Sequence, residues 1–168
     1  GGWGGGPARV SRTPRAGGGG PPPPPAGAPA VPVAPTLKSL LPRGRKFTVS
    51  DDSGTATDFG YVVLDDGKGR SLVQVNVQSN MSDVRGELFD ATSKTLPDGT
   101  QVAVHRGPGE KGGAGVVMWT VDTMRRDGKR VVISAFNSGT QSTAATRTAP
   151  ALTVQELRAI ALSPKWWR

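Results

Sequence analysis

Apolar residues in this chain alternate with polar ones far more often than they recur at helical spacing. The clearest run is Ser71–Gln78, where Val73, Val75 and Val77 alternate with Gln74, Asn76 and Gln78. A period of two puts the valines on one buried face of a strand and the amides on the opposite, wet face. Phe59–Leu64, Thr92–Leu96, Thr100–Arg106, Val116–Met124 and Lys129–Phe136 read as further strands. In the third of these, Val102 and Val104 share a face and Gln101, Ala103 and His105 take the other. In the fourth, Val117, Trp119 and Val121 point inward. Arg45–Ser50 adds a first strand with Phe47 and Val49 inward. Asp66-Gly67, Asp98-Gly99 and Asp127-Gly128 fall between these runs. Asp-Gly supplies the positive-φ positions of two-residue turns, which predicts three hairpins.

Two stretches carry helix signals. Thr36 caps a short helix over Leu37–Leu41, with Leu37, Leu40 and Leu41 on one face and Pro42 stopping it. Near the end, Thr153 and Glu156 have capping-box spacing and Leu152 and Leu157 that of a hydrophobic staple. Val154, Leu157, Ile160 and Ala161 form the buried stripe of that helix, which Pro164 ends. Ser79–Asp90 stays open between a loop and a single helical turn anchored by Leu88 and Phe89. Gly107–Gly115 reads as a flexible loop and Ser138–Ala149 as irregular. The expected fold is α+β: a twisted antiparallel sheet of six to seven strands in successive hairpins, with a short N-terminal and a C-terminal helix on one face.

Composition divides the chain near Thr36. Residues 1–35 hold 10 of the 24 glycines and 10 of the 15 prolines. Such a segment buries too little apolar surface to offset its chain entropy, and its polyproline run acts as a stiff spacer. A disordered stalk over 1–35 and a globular domain over 36–168 are therefore expected. The whole chain carries a net charge of +8. Arg9, Arg12 and Arg15 supply part of it, leaving 18 basic against 13 acidic residues in the globular part. That excess favours a polyanion nearby, or simply solubility. There is no cysteine, hence no disulfide framework and no thiolate metal site. No apolar run reaches transmembrane length. The chain opens at Gly1 on a stalk-like leader, so a membrane span upstream is an expectation.

No residue constellation specifies catalysis, a cofactor or a metal. His105 is the only histidine and sits on the expected wet face of its strand. Gly107–Gly115 fails the phosphate-loop pattern, because Gly112 is followed by Gly113 and Ala114 and the valines after them read as strand. Asp51, Asp52 and Asp58, and Asp65 with Asp66, lack calcium-loop spacing, and turn formation accounts for Asp66. No pair of carboxylates faces across a cleft for glycoside hydrolysis. What remains is surface. The polar face of the sheet (Gln74, Asn76, Gln78, Gln101 and His105) with Lys111 in the neighbouring loop is the candidate interaction surface. Arg43, Arg45, Lys46, Lys111, Trp167 and Arg168 are candidate polyanion contacts. Trp166 is expected to fold back over the sheet. Nucleic acid is not an expected partner, because exposed aromatics are too few.

Leu40-Leu41-Pro42-Arg43-Gly44, the run Gly60 to Gly67, Leu72 to Val77, Thr95 to Thr100, Val117 to Asp122, Asp127 to Val132, and the close from Pro150 to Trp166 carry a resemblance. Together they resemble the extracytoplasmic C-terminal domain of poorly characterised actinobacterial single-pass membrane proteins, some similar in layout to transmembrane anti-sigma regulators. The resemblance covers residues 36–168 and rests on turn and core positions. It implies a domain on a Pro/Gly-rich stalk outside the cytoplasmic membrane, and it brings no catalytic residues. The expected function is a non-enzymatic sensing or interaction domain of a membrane-anchored protein, with an unknown protein as partner. The alternative is a module for anionic wall polymer or membrane head groups. A hydrolase without recognisable motifs comes third.

Overall fold

The valine-rich strand of the sequence lies near the middle of the sheet, where both of its edges are paired. A computed structural model of the protein describes residues 30–111 and 113–167. In chain order the elements are α1 (Val33–Ser39), β1 (Thr48–Asp52), β2 (Phe59–Asp65), β3 (Arg70–Gln78), α2 (Arg85–Leu88), β4 (Lys94–Thr95), β5 (Gln101–Pro108), β6 (Val117–Met124), β7 (Arg130–Phe136) and α3 (Val154–Ala161). Short 3₁₀ turns precede α2 and follow α3. The seven strands form one antiparallel sheet in the order β1-β2-β3-β7-β6-β5-β4. Two meanders therefore meet where β3 pairs with β7, with Val75 opposite Ile133.

Register assigns every side chain to a face, because neighbours along a strand point opposite ways. One face carries the rows Val62–Val73–Ala135–Trp119–Arg106, Gly60–Val75–Ile133–Val121–Val104 and Val77–Val131–Thr123–Val102–Lys94. Both long helices cover this face. α1 lies on β2, and α3 lies on β6 and β7. Val33, Ala34, Leu37, Leu157, Ile160 and Ala161 complete one core with the sheet valines. The capping box at Thr153 and Glu156 is present, and Leu152 and Leu157 are fully buried beside it.

The first helix departs from expectation. It begins at Val33, not Leu37, with Pro32 as the N-cap residue. Pro32 also bridges Thr57, and the Val33 amide donates to the Ala56 carbonyl at 2.9 Å. The expected domain boundary at Thr36 thus falls inside α1. Proline fixes φ near its helical value and is well suited to the entry of a helix, so its abundance there did not exclude one. Residues 1–29 of the expected stalk lie outside the described residues. α1 can sit close because β2 presents Gly60 beneath it, where a Cβ would lie 2.6 Å from the Val33 Cβ. Gly60→Ala is expected to lower stability by about 1–3 kcal/mol through overpacking, read from the urea midpoint. An unchanged midpoint would mean that α1 does not rest on β2.

The three Asp-Gly pairs do lie at hairpin turns, but not in two-residue ones. Asp98-Gly99 and Asp127-Gly128 close three-residue loops: Leu96 N–H donates to Thr100 O and Arg125 N–H to Lys129 O, each at 2.8 Å. Asp66-Gly67 sits in a four-residue loop between Asp65 and Arg70, which are paired. Only the glycines take positive φ, +96° at Gly67, +88° at Gly99 and +86° at Gly128. A two-residue type I′ turn needs positive φ at both positions, whereas a type I turn with a glycine bulge needs it once. Each aspartate instead accepts the amide two residues on: Asp66 from Lys68 at 3.1 Å, Asp98 from Thr100 at 2.9 Å, Asp127 from Lys129 at 3.2 Å.

Strand boundaries shift by a few residues. β1 starts at Thr48, not Arg45, and β4 is only Lys94–Thr95. The region 79–90 holds the single helical turn α2, with Phe89 buried after it. The 107–115 stretch is less free than its glycines suggest. β5 runs on to Pro108, Gly109 N–H donates to Val116 O at 2.8 Å, and Ala145 N–H donates to Ala114 O at 2.9 Å.

Candidate interaction face

The second face of the sheet carries no long helix. Its rows are Tyr61–Gln74–Ser134–Thr120–His105, Phe59–Asn76–Val132–Asp122–Ala103 and Gln78–Arg130–Met124–Gln101. Gln74, Asn76, Gln78, Gln101 and His105 do share this face. It is not uniformly wet, however. At one end of the strands Val63, Leu72 and Phe136 make a small apolar cluster with Val116 from the loop before β6. At the other end Phe89 packs on Ala103 and Met124, with Met81 and Leu88 alongside. Between these two covers a polar stripe crosses five strands, from Phe59 and Tyr61 on β2 to His105 on β5.

The floor of the stripe is fixed by its own hydrogen bonds. The Thr120 and Ser134 hydroxyls bond each other at 2.9 Å, both buried. Asp122 accepts two bonds from the Arg130 guanidinium, that from Nε at 2.8 Å, and Arg130 Nη1 donates to Gln78 Oε1 at 2.9 Å. Burial pushes the Asp122 carboxyl above its ordinary value, while Arg130 and, more weakly, His105 pull it down. Gln141, from the segment after β7, donates to Gln74 Oε1 at 3.1 Å. Arg85 donates to Gln101 Oε1 at 3.0 Å. Tyr61 donates its hydroxyl to Asp51 Oδ2 at 3.1 Å, and that hydrogen bond raises the phenol above its ordinary value.

Two polar side chains of the stripe make no hydrogen bond to any described residue: half-buried Asn76 and exposed His105. Beside Asn76, across the β2–β3 pair, Phe59 is 44 % exposed. Among the described residues, only Phe59 and Val104 are large hydrophobic side chains left exposed. An aromatic ring, an unengaged amide and an imidazole on a rigid floor can take up a ligand without rearranging it. Among the described residues no hydrogen bond links His105 to a hydroxyl or carboxylate, and no group of three acidic or histidine side chains could hold a metal.

Sequence reasoning missed Phe59, Tyr61, Thr120, Ser134 and the Asp122–Arg130 pair. The parity of β2 relative to β3 would have found the first two. The ion pair couples neighbouring strands, so no local signal announces it. Lys111, nominated with the amides, is exposed beyond the end of β5 and lies off the stripe.

The nominated polyanion contacts are not brought together. Arg43 and Lys46 are exposed before β1. Arg45 is committed to the fold: it donates to Glu156 at 2.6 Å, to the Ala151 carbonyl and to Asp66 at 3.3 Å, and lies over Phe47. Trp167 stacks under Lys129 at 5.4 Å, by the β6–β7 turn at the opposite end of the sheet from Lys46 and Lys111. Arg168 lies outside the described residues. Trp166 is folded back and 2 % exposed, as expected. The acidic clusters are structural too: Asp52 pairs with Lys38 at 2.6 Å and accepts from Gly54 N–H at 2.7 Å. Among the described residues no helix is long and apolar enough to cross a membrane. No protein-family model, no curated protein and no solved structure matches this chain.

Proposed function

We propose that the chain is a non-enzymatic interaction domain, the outward-facing part of a membrane-anchored protein, which contacts a partner protein across the polar stripe on the sheet face opposite α1 and α3. The observation that carries this reading is the stripe itself. In it amides and an exposed phenylalanine at one end and the sole histidine at the other flank the buried Thr120–Ser134 hydroxyl pair, between two apolar covers. Asn76 is half-buried and His105 exposed, so both have hydrogen-bonding capacity free for a partner, and Phe59 beside Asn76 adds an apolar contact. The extracytoplasmic placement and a regulatory role draw on the resemblance and on the composition of residues 1–35. The scattering of the basic residues gives the polyanion alternative no comparable surface.

A photo-crosslinking amino acid placed at position 76 in the full-length protein, in its native envelope, tests the reading. A discrete protein adduct is expected from position 76, at least tenfold weaker from position 158 on the outer side of α3, and suppressed by Gln74→Lys. Equal adducts from both positions, or none from position 76, would contradict it.

A further inference from the structure

The sheet has two edges, and they are finished differently. β1 is irregular: its pairing with β2 shifts between Val49 and Asp51. Such a bulge twists an edge away from further pairing. β4 protects the other edge, but it covers only Gln101 and Val102 of β5. From Ala103 to Gly107 the outer edge of β5 pairs with no described residue.

Backbone parity identifies the free groups. Gly109 N–H points to β6, where it meets Val116 O, and the Thr100 carbonyl points to β4, where it accepts from Leu96. In an antiparallel ladder a residue directs its N–H and C=O to the same side, and successive residues alternate. Gly107, His105 and Ala103 therefore bond β6, while Val104 and Arg106 direct N–H and C=O outward. Five residues of extended backbone with two outward donor–acceptor pairs, held rigid by a complete ladder on the inner side, form a template for an added strand.

The side chains along that edge define what fits. Val104 is 42 % exposed and ends the core row Val75–Ile133–Val121 on the helix-covered face. An apolar side chain placed opposite it would continue the row. Arg106 lies two residues on, on the same face, exposed, its guanidinium 5.6 Å from the Trp119 ring centre. That stacking holds the charge at the edge. A residue opposite Arg106 is therefore favoured if acidic. The basic excess of the chain points the same way, and it opposes pairing of this edge with a second copy.

We propose that the open edge of β5 binds an extended acidic peptide segment of a partner protein by antiparallel strand addition, with an acidic residue opposite Arg106 and an apolar residue two positions later opposite Val104. This edge adjoins the β5 end of the polar stripe at His105 but binds through the outward backbone groups of Val104 and Arg106, and the two assignments stand or fall separately.

The probe is a backbone-cyclised β-hairpin displaying Thr-Glu-Thr-Val-Thr on one strand, since cyclisation lowers the ordering cost of a short peptide. It is titrated into the whole chain and followed by amide exchange and chemical shift. At saturation the Val104 and Arg106 amides are expected to exchange at least tenfold more slowly, with Asn76 unmoved. Replacing the peptide Glu by Lys is expected to weaken binding at least fivefold, and Arg106→Glu to reverse that preference. Val104→Pro removes an outward donor without breaking the β5–β6 ladder and is expected to abolish binding. Unprotected amides at 104 and 106, indifference to the peptide's charge in both wild type and Arg106→Glu, or pairing of β5 with a second copy in the absence of peptide would each overturn the proposal. Shifts confined to Asn76 and Gln74 would overturn it while leaving the stripe assignment intact.

Discussion

Trp166→Ala is expected to destabilise the domain by about 3–5 kcal/mol, the range for removing a buried large aromatic. The ring is 2 % exposed and belongs to the main core, packed among residues of α1, α3 and the sheet. Its indole N–H donates to the Ile160 carbonyl at 2.8 Å, a last-turn carbonyl of α3 that also accepts from the Ser163 N–H at 3.1 Å. Alanine would leave a cavity and remove one of the donors to that carbonyl, leaving the Ser163 N–H at 3.1 Å. Against a typical total stability of about 5–15 kcal/mol, the loss moves the urea midpoint by a large fraction of its value. Trp166→Phe keeps most of the volume and is expected to cost less than half as much. A Trp166→Ala midpoint within experimental error of wild type would show that the terminal 3₁₀ turn is not docked.

Asp66→Ala is expected to cost about 3 kcal/mol, because it strands a buried cation rather than merely deleting a turn residue. Arg147, its side chain 9 % exposed, donates from Nη1 to Asp66 Oδ1 at 2.7 Å and from Nη2 to Oδ2 at 3.1 Å. Arg45 adds a contact at 3.3 Å and continues to Glu156, whose Oε1 also accepts the Thr153 amide in the capping box. The β2–β3 turn, the 147–151 segment and the start of α3 are thereby tied through one carboxylate. The Arg147 guanidinium holds the Asp66 carboxyl down at about 2, below the ordinary 3.8. A depressed acid stabilises the fold fully above its unfolded value and loses that contribution as pH falls through the folded one. The wild type should lose stability between about pH 4 and pH 2 through this group. Asp66→Asn, already uncharged, should lose less, so the gap between the two narrows as acid is added. A gap that widens on acidification would rule out the Asp66–Arg147 pair as the cause.

The parts of the fold legible in the sequence are those set by local rules. Alternating valines in β3 fixed its faces, and Thr153 with Glu156 marked the start of α3 to the residue. The Asp-Gly pairs located the hairpins but misjudged their loop lengths, because a single positive-φ glycine suits a bulged turn as well as a two-residue one. Pro32 and Pro35 read as stalk because proline suits both a spacer and a helix entry, and only the packing of Val33 on Gly60 separates these. Arg45 and Asp66 looked like surface and turn residues. Their partners, Glu156 and Arg147, are remote in sequence, and no local pattern signals such a pair. The shared face of Gln74, Asn76, Gln78, Gln101 and His105 followed from period two. Which part of it stays open did not, since the covers draw on segments with no periodicity, the loop before β6 with Val116 and residues 79–92 with Phe89.

The central claim is that adjacent residues of β3 face a sealed core and a polar stripe that is open at Asn76 and His105. The chain contains no cysteine, so single-cysteine variants report exposure without background. Asn76→Cys and His105→Cys in the folded protein are expected to react with a maleimide at least a hundredfold faster than Val75→Cys, which should label only through unfolding. Equal rates at positions 75 and 76, or protection of both 76 and 105, would contradict the account.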